Sequence, residues 1–381
     1  MSKKSDKAFI IFSGYNNRAV LSVCRTFHQM KINYFIIAHK GLDVLSKTQY
    51  KIKIVDYLNI PSLDVQEIKG ILTKIKTTHH ISQLIILPTT EYLNRFLLNN
   101  RNELENNDLC LVPLVNKDTY LSISNKGYFS SICRKYEINI PNELTFSKAR
   151  IPFVAKPKKE FTDNNKRVYP YLICNVRDLE KFINFEKEED YYYQEYIEGE
   201  SFYLLFYFYK CGKYRVILQQ NGAQQPNGKS IFFAWSCPLK KSLFVDNFIK
   251  LFKNEKFHGL VMVELKGTAD KYYMIEANPR IWGPTQLMLS SHFNLIKCYI
   301  EEYFEYELNE VEFTFKNNAL YFWFGGFFEA FLNKKAINWF AYGQKMFFKN
   351  LHRLLLNDIY LKKDSFKVFF FEIFKLLKRK K

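Results

Sequence analysis

Short apolar runs and amphipathic stretches alternate through the first third of the chain. AFIIF at 8–12, YFIIA at 34–38, KIKIV at 51–55, QLIILP at 83–88 and LCLVPLV at 109–115 read as strands, because apolar runs of that length between polar residues suit a buried sheet. Between them, Asn17 to Met30 and Asp64 to Lys76 space their apolar residues three and four apart, the period of a helix with one buried face. This alternation predicts a small parallel α/β sheet over residues 1–115. The pair His79 and His80 falls at a helix end. Further along, VMVELKGTADKYYMIEANP at 261–279 reads as two strands joined by a Gly-containing turn, a hairpin by pattern. LQQNGAQQPNGKSIFF at 218–233 reads as a long polar loop between strands.

The hairpin carries the most informative chemistry. In MIEANPRIWG at 274–283, Glu276, Asn278 and Arg280 occupy alternate positions at a strand end, so their side chains project the same way. A carboxylate and an amide oxygen are hard ligands suited to Mg²⁺, which keeps the rest of its shell for water and phosphate oxygens. Arg280 adds a forked cation beside them. Glu264, on the first strand of the hairpin, lies within cross-strand reach. Two acids on paired strands with an amide alongside make a cradle for the metal ions of a nucleotide triphosphate.

These residues resemble the ATP-grasp superfamily, in its carbamoyl-phosphate-synthase-like, carboxylate–amine ligase branch. IEANPR is similar to the family's metal strand. PFVAKP, with Lys156, is similar to its Lys-before-Pro strand, YYYQEYIEGE at 191–200 to its hinge strand, and SISNKGYF, with Lys126, to its earlier lysine. The four occur in the family's order over roughly residues 110–300. The resemblance implies an ATP-grasp core of two lobes, at 116–195 and 196–310, preceded by the α/β domain at 1–115 and followed by an aromatic, basic helical extension at 311–381. The fold class is thus α/β and α+β. It further implies that Lys126 and Lys156 hold ATP phosphates, that Glu195, Tyr196 and Ile197 meet adenine through their backbone, and that Glu200 contacts ribose. Glu264, Glu276 and Asn278 would hold Mg²⁺, with Mn²⁺ as the alternative, and Arg280 and Lys156 would face the transferring phosphoryl group. The implied activity is ADP-forming ligation of a carboxylate to an amine through an acyl phosphate, and relatives with basic C-terminal extensions point to cell-surface polysaccharide precursors. A carbamoyl-phosphate or carboxyphosphate-forming enzyme and a non-catalytic nucleotide-binding protein are the alternatives. One departure is the loop KPKKEFTDNNKRVYP at 156–170, which has no Gly and instead carries Lys158, Lys159, Lys166 and Arg167.

Composition narrows the setting. The first turn of the α/β region, SGYNNRA at 13–19, lacks the GxGxxG of a dinucleotide site. Seven Cys are scattered with no CxxC, so a reducing cytosol and no structural metal are expected. No apolar run reaches the roughly 18 residues of a spanning helix, and the polar start is unlike a signal peptide. Of the net charge of +18, ten units fall in the last 49 residues, which hold 13 Lys and Arg against Asp358, Asp364 and Glu372. Within FKVFFFEIFKLLKRKK at 366–381, Phe366, Phe369, Phe370, Ile373, Leu376 and Leu377 share one helical face. The commoner fate of such a face is packing on its own protein; the other is peripheral contact with an anionic membrane at its inner surface. No base-stacking or groove-reading motif accompanies the charge, so nucleic acid is not expected.

Overall fold

A computed structural model describes residues 6–41, 43–58, 62–158, 168, 170–225, 228, 230–333 and 337–378. Lys7–Phe12 (β1), Asn17–Gln29 (α1), Tyr34–His39 (β2), Ile54–Leu58 (β3), Val65–Thr78 (α2) and Gln83–Ile86 (β4) build a four-stranded parallel sheet in the order β3-β2-β1-β4. β1 is apolar throughout because both its faces are covered: Phe9 and Ile11 enter one core cluster, Ala8, Ile10 and Phe12 another. Asp64 caps α2 by accepting from the Glu67 amide, and Glu91–Asn99 (α3) and Arg101–Glu105 (α4) follow.

Two strand expectations need correction here. LCLVPLV is not a strand; Leu111 makes a single parallel bridge to Ile85, and Pro113 has no N–H with which to extend a ladder. In KIKIV the first three residues belong to a 3₁₀ turn, Gln49–Lys53, and the strand begins at Ile54.

Lys117–Ser124 (α5) and Lys126–Lys135 (α6) lead to a small antiparallel sheet of Glu143–Leu144 (β5), Phe153–Pro157 (β6), Tyr171–Ile173 (β7) and Tyr191–Glu195 (β8), ordered β5-β8-β6-β7 and covered by Val176–Phe185 (α7). Its core is Phe153, Ile173, Phe182, Tyr191 and Tyr193. The large sheet takes Glu200–Phe208 (β9), Tyr214–Gln224 (β10), Ile231–Cys237 (β11), Gly259–Thr268 (β12) and Lys271–Asn278 (β13), with Val245–Asn254 (α8) between β11 and β12. Gln286–Ser290 (α9), Ile296–Phe304 (α10), Leu320–Phe322 (β14), Phe324–Leu332 (α11), Asn338–Trp339 (β15), Gly343–Lys349 (α12), Leu351–Leu354 (α13) and Phe366–Lys378 (α14) complete the described chain. The order is β13-β12-β9-β10-β11-β14, and β15 pairs with β10, so the C-terminal extension, expected to be helical, also adds two short strands to this sheet. Alternation along β9 splits its faces: Phe202, Leu204, Phe206 and Phe208 pack with residues of α6 and α8, while Tyr203, Leu205 and Tyr207 face α9, α10 and α1.

The polar stretch at 218–233 corrects another expectation. Most of it is strand, because its polar side chains bond to one another inside the sheet: Gln219 donates to Asn221, Asn221 to Ser201 and Gln220 to Glu200, at 2.7–2.9 Å. In α14, the face expected to be core is split, with Phe369, Ile373 and Leu376 half-buried. Val368 is buried, Phe369 packs on Phe324, and Glu372 points inward to Trp323, whereas Phe366, Phe370 and Leu377 are exposed. All seven Cys are unpaired, and no helix among the described residues is long and apolar enough to cross a membrane.

Candidate functional site

The predicted hairpin forms, and its register places Glu264 on β12 directly opposite Glu276 on β13. Gly267 and Gly199 make this corner possible. Both have positive φ, and a Cβ on Gly199 would collide with the Gly267 carbonyl, so the chain leaving β8 can pass the end of β12 only without side chains there. Beyond β13 the expected alternation holds as a hydrogen-bonded chain: Asn278 Nδ2 donates to Glu276 Oε1 at 2.8 Å, and Arg280 donates to Asn278 Oδ1 at 3.0 Å. The turn is fixed from outside, since Asn94 of α3 donates to the Pro279 carbonyl at 3.3 Å and Asn16 to that of Ile281 at 3.2 Å.

Both lysines reach this strand. Lys126, the first residue of α6, ion-pairs with Glu276 Oε2 at 3.3 Å, and Asn125 caps that helix by accepting from the Tyr128 amide. Lys156 on β6 pairs across to Tyr192 of the hinge strand β8, and its Nζ donates to the Ile275 carbonyl at 3.4 Å. Lys156 is only 7% exposed. Burial, then the nearby Lys126 charge, lowers its ammonium to about 8. Glu264 is 8% exposed, and burial together with Glu276 raises its carboxyl well above the usual range. Burial would also raise Glu276, but Lys126, the Asn278 hydrogen bond, Lys156 and Arg280 outweigh it and hold that carboxyl low. Glu276 nevertheless shows 28% of its side chain to the cleft, so a ligand can reach it.

The hinge residues are placed less simply. The Glu195 amide donates to the Asn142 carbonyl, and the Glu195 carboxylate accepts from the Asn142 amide and side chain, at 2.9–3.1 Å. The Glu195 N–H is therefore already engaged. Tyr196 and Ile197 follow the strand, and the Tyr196 ring lies 4.8 Å from the Lys266 ammonium. Glu200 is buried and accepts from Gln220, Lys240 and the Tyr272 hydroxyl, so a ribose contact requires exchange of one of these partners. Of the Gly-free loop, Lys159, Lys166 and Arg167 lie outside the described residues; Lys158 is tied back to the Glu189 and Asp190 carbonyls at 2.8 Å.

One residue escaped the sequence reasoning. Lys266 projects from β12 on the same face as Glu264, two positions along, and burial lowers its ammonium. Glu-Leu-Lys alternation on a strand was the signal available. The site thus holds two acids within a ring of four cations: Lys126, Lys156, Lys266 and Arg280.

The donor set fits a nucleotide-bridging Mg²⁺. Among the described residues no group of three or more His, Cys, Asp or Glu forms a metal cage; Glu264, Glu276 and the Asn278 amide supply a few hard oxygens, as expected where phosphate and water complete the shell. Two facing carboxylates, one of which raises the other's proton affinity, are the arrangement a divalent cation relieves.

No protein-family model and no curated protein matches the sequence. Solved structures do match. The biotin carboxylase domain of Hydrogenobacter thermophilus 2-oxoglutarate carboxylase, in complex with MgADP, ADP and bicarbonate, is 11% identical, with a TM-score of 0.59 over 82% of this chain and 73% of its own. The L-amino acid ligase of Bacillus licheniformis is 16% identical, with a TM-score of 0.56 over 82% and 77%. The N5-carboxyaminoimidazole ribonucleotide synthetase of Thermotoga maritima is 13% identical, with a TM-score of 0.53 over 81% and 78%. At these identities the likeness is one of architecture, and with its parallel sheet, antiparallel sheets and hairpin of paired glutamates the chain has the ATP-grasp fold.

Proposed function

We propose that this protein is an ATP- and Mg²⁺-dependent ligase that joins a carboxylate to an amine, releasing ADP and phosphate. The observation that carries it is the convergence of Lys126, Lys156 and Arg280 on the facing pair Glu264 and Glu276. Phosphoryl transfer asks a protein mainly for position and charge neutralisation, and this cluster supplies both. Lys126 would exchange Glu276 for a phosphate, and Lys156, whose ammonium burial makes easier to deprotonate, would be held protonated by the arriving negative charge. Glu264, Glu276 and Asn278 would hold Mg²⁺, which supplies charge neutralisation between the phosphates. Arg280, oriented by Asn278, faces the transferring group. A substrate carboxylate oxygen then bonds to the γ-phosphorus as the bond to ADP breaks. The amine nitrogen attacks the resulting acyl phosphate, phosphate leaves with the C–O bond electrons, and the nitrogen loses a proton to give the amide.

A panel of carboxylic acids, uronic acids and bicarbonate, crossed with amines and amino acids, tests this. Equal release of ADP and phosphate that needs both an acid and an amine is expected. Release with bicarbonate alone would indicate a carboxyphosphate-forming enzyme, and AMP with pyrophosphate would exclude an acyl phosphate.

A second reading concerns where the enzyme works. Phe366, Phe370, Phe374 and Leu377 form a ridge on the outward face of α14, with Phe374 60% exposed, and Lys367 and Lys378 flank it. Apolar side chains flanked by cations match an anionic bilayer surface, which supports a peripheral membrane location.

A further inference from the structure

A cavity of about 480 Å³ lies apart from the glutamate hairpin, where the ends of β1 and β2 meet α11 and α14. Asn17, His39, Asp43, Trp323, Glu329 and Glu372 line it. Among the described residues its three carboxylates have only neutral hydrogen-bond donors. Asp43 accepts from Ser13 Oγ and the Leu45 amide at 2.7 Å, Glu372 from Trp323 Nε1 at 3.0 Å, and Glu329 from Gln225 at 3.3 Å. None of the three is ion-paired among the described residues. Two lysines also line it, Lys47 and Lys375, each held over the ring of the lining Phe371, at 4.5 and 5.9 Å. Arg18, stacked at 3.8 Å on Trp323, donates to Tyr321, Ser230 and the Ile231 carbonyl.

A second observation is independent of the acids. His39 is 4% exposed, and neither of its ring nitrogens has a hydrogen-bond partner. An unsatisfied buried imidazole on the wall of a cavity costs free energy until something there bonds to it. The surroundings are also built to admit the acid: a Cβ on Gly325 would collide with the Glu372 carboxylate.

We propose that this cavity binds a small molecule through a protonated amine, at a site separate from the nucleotide site. An ammonium offers up to three donors, matching the two inward carboxylates and an unpartnered His39 nitrogen. Burial raises both the Asp43 carboxyl and that of Glu372, the latter to about 7, so a cation entering between them relieves a strain already present. The wall is continuous with the Arg280 turn, since Asn16, beside the lining Asn17, bonds the Ile281 carbonyl.

The test is calorimetric titration of the full chain with glycine, L-lysine, putrescine and D-glucosamine, each paired with its N-acetylated form, with and without saturating ADP. At least one free amine should bind while its acetylated partner does not, and ADP should not displace it. In the double variant Asp43→Asn, Glu372→Gln, whose amide oxygens can still accept from the Leu45 amide and Trp323 Nε1 while the new Asn amide nitrogen donates to the Ser13 hydroxyl, affinity should fall by at least tenfold, the scale of a lost charge-assisted bond. Equal binding of acetylated and free forms, displacement by ADP, unchanged affinity in the double variant, or no binding of any amine at millimolar concentration would each overturn the proposal.

Discussion

Replacing Glu276 by alanine should abolish ADP formation and leave the fold standing. Its carboxylate meets Lys126, Asn278 and the facing Glu264 at once, so its loss removes a metal ligand and scrambles the cations aimed at the phosphates. Removing one preorganised electrostatic group from a reacting site typically costs about 100- to 1,000-fold in rate, and loss of a metal ligand adds to that. Stability should change little, because Lys126 is partly exposed and Glu264 loses a like-charged neighbour. Glu276→Gln, which can keep the Asn278 bond but not the charge, should be nearly as inactive. Turnover of either variant at the wild-type rate, with an unchanged melting temperature, would remove Glu276 from the site.

A second large effect is expected at the C-terminus, where two changes to the same segment should act oppositely. Arg25 forms a two-pronged ion pair with Asp364 at 2.8 Å, with both side chains largely buried, and Tyr50 donates to the same carboxylate. Burial would raise the Asp364 carboxyl, but the Arg25 contacts outweigh it and hold it below the usual range. Its contribution is therefore present above the ordinary Asp range and lost as pH falls through it. Deleting residues 364–381 strands Arg25, a change that costs about 3–5 kcal/mol in buried pairs, and removes the buried Val368 as well. The melting temperature should drop by roughly 10 °C. Replacing Phe366, Phe370, Phe374 and Leu377 with serine should instead leave melting unchanged while removing salt-sensitive binding to anionic vesicles. A ridge variant that melts as low as the deletion would show that the ridge is packed. Indifference of the wild type to such vesicles would end the membrane reading.

The glutamate hairpin was legible because alternation on a strand is a strong local signal: Glu276, Asn278 and Arg280 share a face whatever surrounds them. The parallel sheet was legible for a similar reason, its strands being apolar runs separated by helical periods. Failures came where partners distant in sequence set the structure. Gln219, Gln220 and Asn221 look like a solvated loop, yet inside the sheet Gln220 donates to Glu200 and Asn221 to Ser201 on the neighbouring strand, and Gln219 donates to Asn221. In α14 apolar residues surround most of the helix, so periodicity could not choose a side. The buried side is decided by Val368 and by Glu372, a residue that reads as solvent-facing until Trp323 is seen to donate to it. Lys266 was missed because a single lysine among 56 Lys and Arg carries no signal without its neighbours.

The ligase assignment rests on ATP activating a carboxylate, and trapping that product tests it most directly. With ATP, Mg²⁺ and the acid panel, but hydroxylamine in place of the amine, an acyl phosphate is captured as a hydroxamate. The account predicts hydroxamate and ADP in equal amounts for at least one acid, and neither with Glu276→Ala. ATP bound by the wild type, with no hydroxamate and no ADP from any acid in the panel, would contradict it.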